Sequence, residues 1–305
     1  MRVLISGGNG FIGSWTAKLA SERNYDVTVI SRSDNLSQKI EGVNYIIADL
    51  TSLSQLKSKL KNKKFDYAIN FAGNIDHSNF FGKGLDVINS HLVGVFNLIS
   101  VINNDSLKKF IQIGTSDEYK ASEFALKEDS DIDFYTPYAY AKKSSLDFLK
   151  MLNKFNSFPY VFVRLFLTYG PFQNEHRFLP QLIRGCINNE NIPLTDCTQT
   201  RDFCYVEDIA EGIINILDSN IHSDVINLAS GKPVALREIV TFVKEYIGGG
   251  NPIFGAVKRR TNEPNILYGS IDKAKEVLNW KPKHSLYQGL EKTIVYYKSY
   301  HDKGK

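Results

Sequence analysis

Tyr138 is followed four positions later by Lys142 in the stretch "YTPYAYAKKSS", residues 135–145, and neither Tyr135 nor Tyr140 has a lysine at that distance. Residues so spaced share one face of a helix, and Pro137 stands just ahead of the pair. An ammonium near a phenol favours the phenolate, pulling tyrosine down from its reference pKa of about 10. A phenol tuned this way can give a proton to a carbonyl, or take one from a carbinol, near neutral pH. A second hydroxyl holding the substrate oxygen would complete the site. Thr115 and Ser116, closing the apolar run "KKFIQIGTS", are the candidates. The spacing alone is common by chance. It means oxidation and reduction only if other residues hold a hydride carrier.

Such a holder stands near the start of the chain. "GGNGFIG" places Gly7, Gly10 and Gly13 directly after the first apolar run and ahead of a helical pattern. Glycine permits a tight turn and close approach of backbone to a pyrophosphate. The following helix, with Phe11 and Ile12 in its first turn, offers its amides to the negative charge. That arrangement predicts a dinucleotide. An NAD site usually carries Asp or Glu at the end of the second strand, for the ribose hydroxyls. "VISRSDN" has Ser31 and Arg32 there, with Asp34 further into the loop. A hydroxyl and a guanidinium suit a 2′-phosphate, so NADP(H) is favoured over NAD(H). Asp49, in "IIADLTS", is placed to contact the adenine, and Leu50, Phe71, Ala72 and Gly73 are assigned to the same cofactor.

The elements that must carry these residues follow from the hydrophobic pattern. Runs at 2–7, 25–31, 43–49, 65–73, 108–116 and 160–166 are rich in Val, Ile and Phe, do not alternate, and are separated by helix-length segments. That predicts a parallel sheet covered on both faces, an α/β fold of the doubly wound Rossmann type. In such sheets ligands bind beyond the carboxyl ends of the strands, where the glycine turn and Thr115 both fall. After residue 166 loops lengthen, Pro171, Pro180 and Pro193 appear, and helical patterns at 236–247 and 285–299 dominate. The expected division is a dinucleotide domain over 1–165, with a return segment near 202–230, and a smaller α/β substrate domain over 166–305.

The 305 residues carry a net charge of +4 with 43% hydrophobic side chains, ordinary for a soluble globular protein. No basic stripe is interleaved with aromatics, and the run of Lys59, Lys61, Lys63 and Lys64 reads as a solvated helix end. Nucleic acid is therefore not the expected partner. No uncharged apolar run approaches the roughly 20 residues of a membrane span, and "MRVLISGGNGFIG" lacks the pattern of a signal peptide. A cytoplasmic protein without a membrane partner is expected. Cys186, Cys197 and Cys204 form no CxxC pair and suit a reducing compartment, and no metal site is read.

Taken in order, these stretches resemble the extended short-chain dehydrogenase/reductases, in particular their nucleotide-sugar epimerase, dehydratase and reductase group. "GGNGFIG" resembles the cofactor loop, "INFAG" the fourth strand, "GTSDEYK" the Ser/Thr strand and "PYAYAKKSS" the Tyr-x-x-x-Lys helix. "VINSHLVGVFNLI" is similar to the segment whose Asn, here Asn89, supports the catalytic helix. "VRLFLTYGP", "QTRDFCYVEDIA" and "LNWKPKHSLYQGLEKTIVYY" extend the likeness along essentially the whole chain. The resemblance implies a nucleoside-diphosphate sugar as substrate, with Arg201 in "TRDF" and Arg260 in "KRRTNEP" on the diphosphate. A guanidinium pair suits that charge. It also implies base recognition by backbone around 178–194, beginning at Phe178, and a homodimer through helices near 90–104 and 138–155. Asp202 and Asp208 are expected to brace the fold; His77, in the loop after the fourth strand, could reach the sugar, but a solvated loop side chain is the favoured reading of it. Leu167 departs from the family's usual Asn and Lys120 from its usual Gly.

Three reactions share this machinery: 4-epimerisation, 4,6-dehydration and reduction of a ready-made 4-ketone. The family's glucose dehydratases place Asp and then Glu after the catalytic Thr; aligned on Tyr119, those positions hold Ser116 and Asp117. That weakens dehydration. The resemblance, together with an NADP-type loop, implies an NADPH-dependent reductase of a nucleotide-linked 4-keto-6-deoxyhexose, feeding surface polysaccharide. In it Tyr138 protonates the C4 oxygen, Lys142 lowers its pKa and holds the nicotinamide ribose, Thr115 orients the ketone, and Ser116 and Asp117 shape the pocket. The alternatives are an epimerase or dehydratase with tightly bound NAD(P), and, more remotely, a non-catalytic NADP sensor, which the intact Tyr–Lys pair argues against.

Overall fold

The structure is a computed structural model describing residues 1–33, 39–102, 104–260 and 263–303. Its first half alternates strand and helix: β1 (Arg2–Ser6), α1 (Phe11–Glu22), β2 (Asp26–Ser31), β3 (Asn44–Ile47), α2 (Leu53–Leu60), β4 (Tyr67–Asn70), β5 (Lys109–Thr115) and β6 (Tyr160–Leu165). Between β4 and β5 runs a helical stretch, Phe80–Val101, and between β5 and β6 the helix Pro137–Asn156. All six strands pair in parallel, and a seventh, Asp224–Leu228, joins beyond β6. The order β3-β2-β1-β4-β5-β6 followed by the seventh strand reverses direction at β1. At such a reversal the crossover helices leave to opposite faces and a crevice opens beyond the strand ends.

Side-chain parity explains why the apolar runs do not alternate. Val3, Ile5, Val27, Val29, Ile69, Ile111, Val161 and Val163 point into one core layer, while Leu4, Ile30, Ala68, Phe110 and Phe162 point into the other. Both faces are covered, so both must be apolar. Five of the six predicted runs reach past their strands at the carboxyl end, by one to three residues, and the run 25–31 ends with its strand. The stretch Phe80–Val101 is, by length and composition, apolar enough to cross a membrane. In the fold its Val95, Leu98 and Ile99 pack into the second core layer.

Most of the remaining chain forms a second lobe with its own sheet, while the helix Val206–Asp218 packs Ile209 and Ile213 into the first core layer. Thr200–Tyr205 pairs with Leu167–Tyr169, Pro233–Ala235 and Ile266–Leu267, and Asn191–Pro193 pairs with Asn251–Ile253. The helices Phe178–Ile187, Leu236–Ile247 and Leu286–Lys303 bury Leu182, Ile239, Val243, Leu290 and Ile294 against that sheet. The aspartates expected to brace the fold do so here. Asp202 accepts hydrogen bonds from the amides of Ser230 and Gly231 at 2.6 and 2.9 Å, and Asp208 accepts from the amide of His284 at 3.1 Å.

Candidate active site

At the β1–α1 turn the backbone is shaped for a ligand. Gly7 has φ +71°, and a Cβ there would lie 2.8 Å from the amide nitrogen of Ala72; a Cβ on Gly13 would lie 2.3 Å from the carbonyl oxygen of Gly7. Only glycine fits either place. Phe11 and Ile12 open α1, and no side chain caps their amides, so the helix end keeps its donors for an anion. Phe71, Ala72 and Gly73 close the other side of the crevice, the Phe71 amide bonding back to Ser6 at 2.9 Å. These residues fit a dinucleotide pyrophosphate.

The residues assigned to the adenosine end behave less simply. Ser31 is buried, and its hydroxyl donates to the Ser33 carbonyl at 2.9 Å. It braces the turn rather than facing outward, which corrects the expectation of a hydroxyl for a 2′-phosphate and leaves only the exposed Arg32. Asp34 lies outside the described residues. The Asp49 carboxylate accepts from both the amide and the hydroxyl of Thr51 at 2.8 Å, tying down the turn into α2. Leu50 is buried behind it, under Gly94.

Tyr138 and Lys142 lie together in the first turns of Pro137–Asn156. Pro137 fills the first helical position and the Thr136 hydroxyl accepts from the Ala139 amide at 3.1 Å, which fixes where the helix begins. Both side chains are buried. The Lys142 ammonium donates to the Ile113 carbonyl at 2.7 Å and sits 5.8 Å from the Tyr138 ring centre. Burial pulls Lys142 down to about 8, with the Glu118 carboxylate opposing. Burial first, and the Asp117 carboxylate second, push Tyr138 above the usual phenol range; the Thr115 hydroxyl and the Arg177 guanidinium work the other way. Burial sets the direction instead, so the expectation that Lys142 draws the phenol down is not met.

Thr115 ends β5, and its hydroxyl accepts from the Asp117 amide at 3.2 Å. Behind it the Glu118 carboxylate accepts from the Thr115 amide at 3.1 Å and from Arg164 Nε at 2.9 Å. Arg164 also donates to the Tyr119 hydroxyl at 2.9 Å, which donates onward to Asn227 at 2.7 Å. Ser116 is buried within this turn, and Asp117 points toward the crevice, 3.7 Å from His77 Nδ1. His77 is no solvated loop residue: its ring stands edge-on to Tyr138 with centres 5.3 Å apart. Burial lowers His77, while Asp117 acts upward and Arg260 and Arg177 downward.

Asn89 needs a correction. It is exposed, and His91 takes the inward place, its ring centre 5.2 Å from that of Tyr138. His91 falls on the face that buries Val87, Val95 and Leu98 at helical spacing, and Asn89 does not. Arg201 is buried, but its Nη2 donates to Glu263 at 2.7 Å, while Arg260 is exposed and Arg259 bonds Asp196 at 2.7 Å. Phe178 begins its helix half-buried at the rim of the lobe's core. Reading the sequence missed Arg177, His91, Glu118 and Arg164. The last had the plainest signal, a charge inside the apolar run "YVFVRLF".

A model of the NAD-dependent epimerase/dehydratase family matches residues 3–229. The chain is 27% identical over 309 residues to a putative UDP-glucose 4-epimerase of Methanocaldococcus jannaschii, covering 97% of this chain and 98% of the relative. It is 27% identical over 277 residues to a UDP-glucuronate 4-epimerase of Thermodesulfobacterium geofontis, covering 88% and 84%. A solved UDP-glucuronic acid 4-epimerase from Bacillus cereus, in complex with UDP-glucuronic acid and NAD, superposes with a TM-score of 0.87 at 26% identity, covering 98% of this chain and 100% of the other.

Proposed function

The chain belongs to the NAD-dependent epimerase/dehydratase family, and from that premise we propose that it is a nucleotide-sugar 4-epimerase that recycles a tightly held nicotinamide cofactor. The observation that carries the reading is the buried Tyr138 phenol set beside Thr115 at the mouth of the glycine-turn crevice, with Lys142 pinned beneath. A nicotinamide dinucleotide held by Gly7, Gly10, Gly13 and the first turn of α1 supplies acceptance and return of a hydride. Tyr138 Oη, as the phenolate, would take the proton of the sugar's C4 hydroxyl and later return it to the same oxygen, inversion coming from hydride return to the other face of the ketone. The Thr115 hydroxyl bonds the same oxygen and keeps it within reach. Arg201 and Arg260, from the upper lobe, take the diphosphate.

The relatives named as 4-epimerases support this over the reductase that "TSDEY" and the NADP-type loop suggest. So does Ser31, whose turned-in hydroxyl removes half of the argument for a 2′-phosphate. Dehydration lacks an acid, since Ser116 stands in its place and is buried. A homodimer through helices near 90–104 and 138–155 belongs to the same proposal; Phe96, Met151 and Phe155 stay exposed there.

The test is to incubate the purified protein with UDP-glucose, UDP-N-acetylglucosamine and UDP-glucuronic acid, without added cofactor, and resolve C4 epimers by chromatography. Interconversion of one pair supports the epimerase. One-way consumption of NADPH with a nucleotide-linked 4-ketohexose would install the reductase instead. Tyr138→Phe should lose about 10³-fold in turnover while still binding NAD⁺; undiminished turnover in that variant would sink the assignment.

A further inference from the structure

The stretch Phe80–Val101 includes a π turn over Asn89–Val93, and such turns gather at functional sites. His91, within it, is 2% exposed, with its ring tilted 71° to that of Tyr138. Nothing in the proposed reaction uses this imidazole.

Its hydrogen bonding is half complete. Nε2 lies 3.0 Å from the carbonyl oxygen of Asn74. A carbonyl can only accept, so Nε2 carries the proton and Nδ1 is left with a lone pair. Nδ1 has no partner among the described residues, although it is sealed from solvent. Adding a proton there is no remedy, because burial and the nearby Lys142 ammonium both hold the ring neutral. A buried acceptor without a donor is costly and calls for an explanation.

The Nδ1 edge of the ring faces Gly73. A Cβ on that residue would lie 2.1 Å from Nδ1 and 1.8 Å from Cε1, so any side chain at 73 would displace the imidazole. Gly73 itself is exposed at the carboxyl end of the β4 segment, with φ +149°. Its backbone, with no side chain to intervene, is what lies against Nδ1 on that side.

We propose that His91 is a positioning residue whose Nδ1 accepts a hydrogen bond from an O–H donor lodged beside Gly73, a ribose hydroxyl of the bound dinucleotide or a water carried in with it. The bond sets the imidazole against Tyr138 when the site fills, coupling cofactor occupancy to the placement of the phenol. The proposal rests on the reading of the crevice as a dinucleotide site.

The test is imidazole nitrogen NMR on the full chain labelled with ¹⁵N-histidine, with His91→Asn identifying the His91 signal among six histidines. On saturation with NAD⁺, the Nδ1 resonance should move from that of a free lone pair toward that of a hydrogen-bonded nitrogen. Movement with NAD⁺ but not with ADP assigns the donor to the nicotinamide half; movement with both assigns it to the adenosine ribose or a water trapped with it. If the resonance stays put while calorimetry shows NAD⁺ bound, the proposal is overturned and the dinucleotide site stands. If NAD⁺ and NADP⁺ do not bind at all, the site reading falls, and the proposal with it. As a second measure, His91→Phe, a ring without an acceptor, should weaken NAD⁺ binding roughly fivefold, the worth of one ordinary hydrogen bond. His91→Asn, which restores an acceptor, should bind within about twofold of the parent. Equal affinity in all three proteins would also overturn it.

Discussion

Tyr138 is a phenol whose surroundings keep it protonated until something changes them. Burial is the larger cause and the Asp117 carboxylate the next, each disfavouring a second negative charge in the same space. The sign for a variant follows directly. Removing the Asp117 charge makes the phenolate less costly, so the phenol ionises at lower pH. Asp117→Asn should therefore move the limb of kcat against pH on which activity rises with phenol ionisation toward lower pH. It should leave the melting temperature nearly unchanged, because Asp117 is partly exposed and its one ion-pair partner is 3.7 Å away. A pH–rate profile of the variant checks it; a limb displaced toward higher pH would show that Asp117 acts on something other than Tyr138. Tyr–Lys spacing made this residue pair legible in the sequence. The direction of the shift was not, because spacing says nothing about desolvation.

At the scale of elements, the site depends on how β5 ends. Thr115 is aimed by a short turn whose carboxylate, Glu118, is fully buried and bridges the Thr115 amide to Arg164 on β6. Glu118→Gln leaves the Arg164 guanidinium buried without its counter-charge, which should cost about 3 kcal/mol. Turnover should fall with it, since the strand end that presents Thr115 loosens. Urea denaturation measures the first effect, and the double variant Glu118→Leu, Arg164→Met should recover much of the stability without the activity. Full stability in the single variant would mean that the network is ornament. The strands, α1 and the glycine turn were legible because period and composition report local burial. The inward place of His91 was half legible: Val87, His91, Val95 and Leu98 keep a helical spacing, but a histidine on that face shows no role until Gly73 and Tyr138 stand against it. The Glu118–Arg164 pair was half legible, since a lone charge in an apolar strand asks for a partner that only the folded chain names.

For the whole molecule, catalysis needs two lobes to meet over one crevice, and their charges already meet there. Arg201 comes from the upper lobe, yet the Asp117 carboxylate at the end of β5 acts on it electrostatically. Arg201 is paired with Glu263 at 2.7 Å, from the segment that also carries Arg260. A diphosphate arriving at Arg201 must compete with that carboxylate for the same donors. Glu263 is thus expected to stabilise the fold at the expense of affinity. Glu263→Gln should lower the melting temperature, because the buried guanidinium loses its counter-charge, and should tighten binding of UDP by roughly threefold to tenfold, because the competitor is gone. Arg201→Ala should weaken the same binding by at least about tenfold. Calorimetric titration of both variants with UDP decides. If Glu263→Gln weakens UDP instead, Glu263 holds Arg201 in its binding posture rather than competing for it. The two lobes would then be preset for substrate rather than rearranged by it.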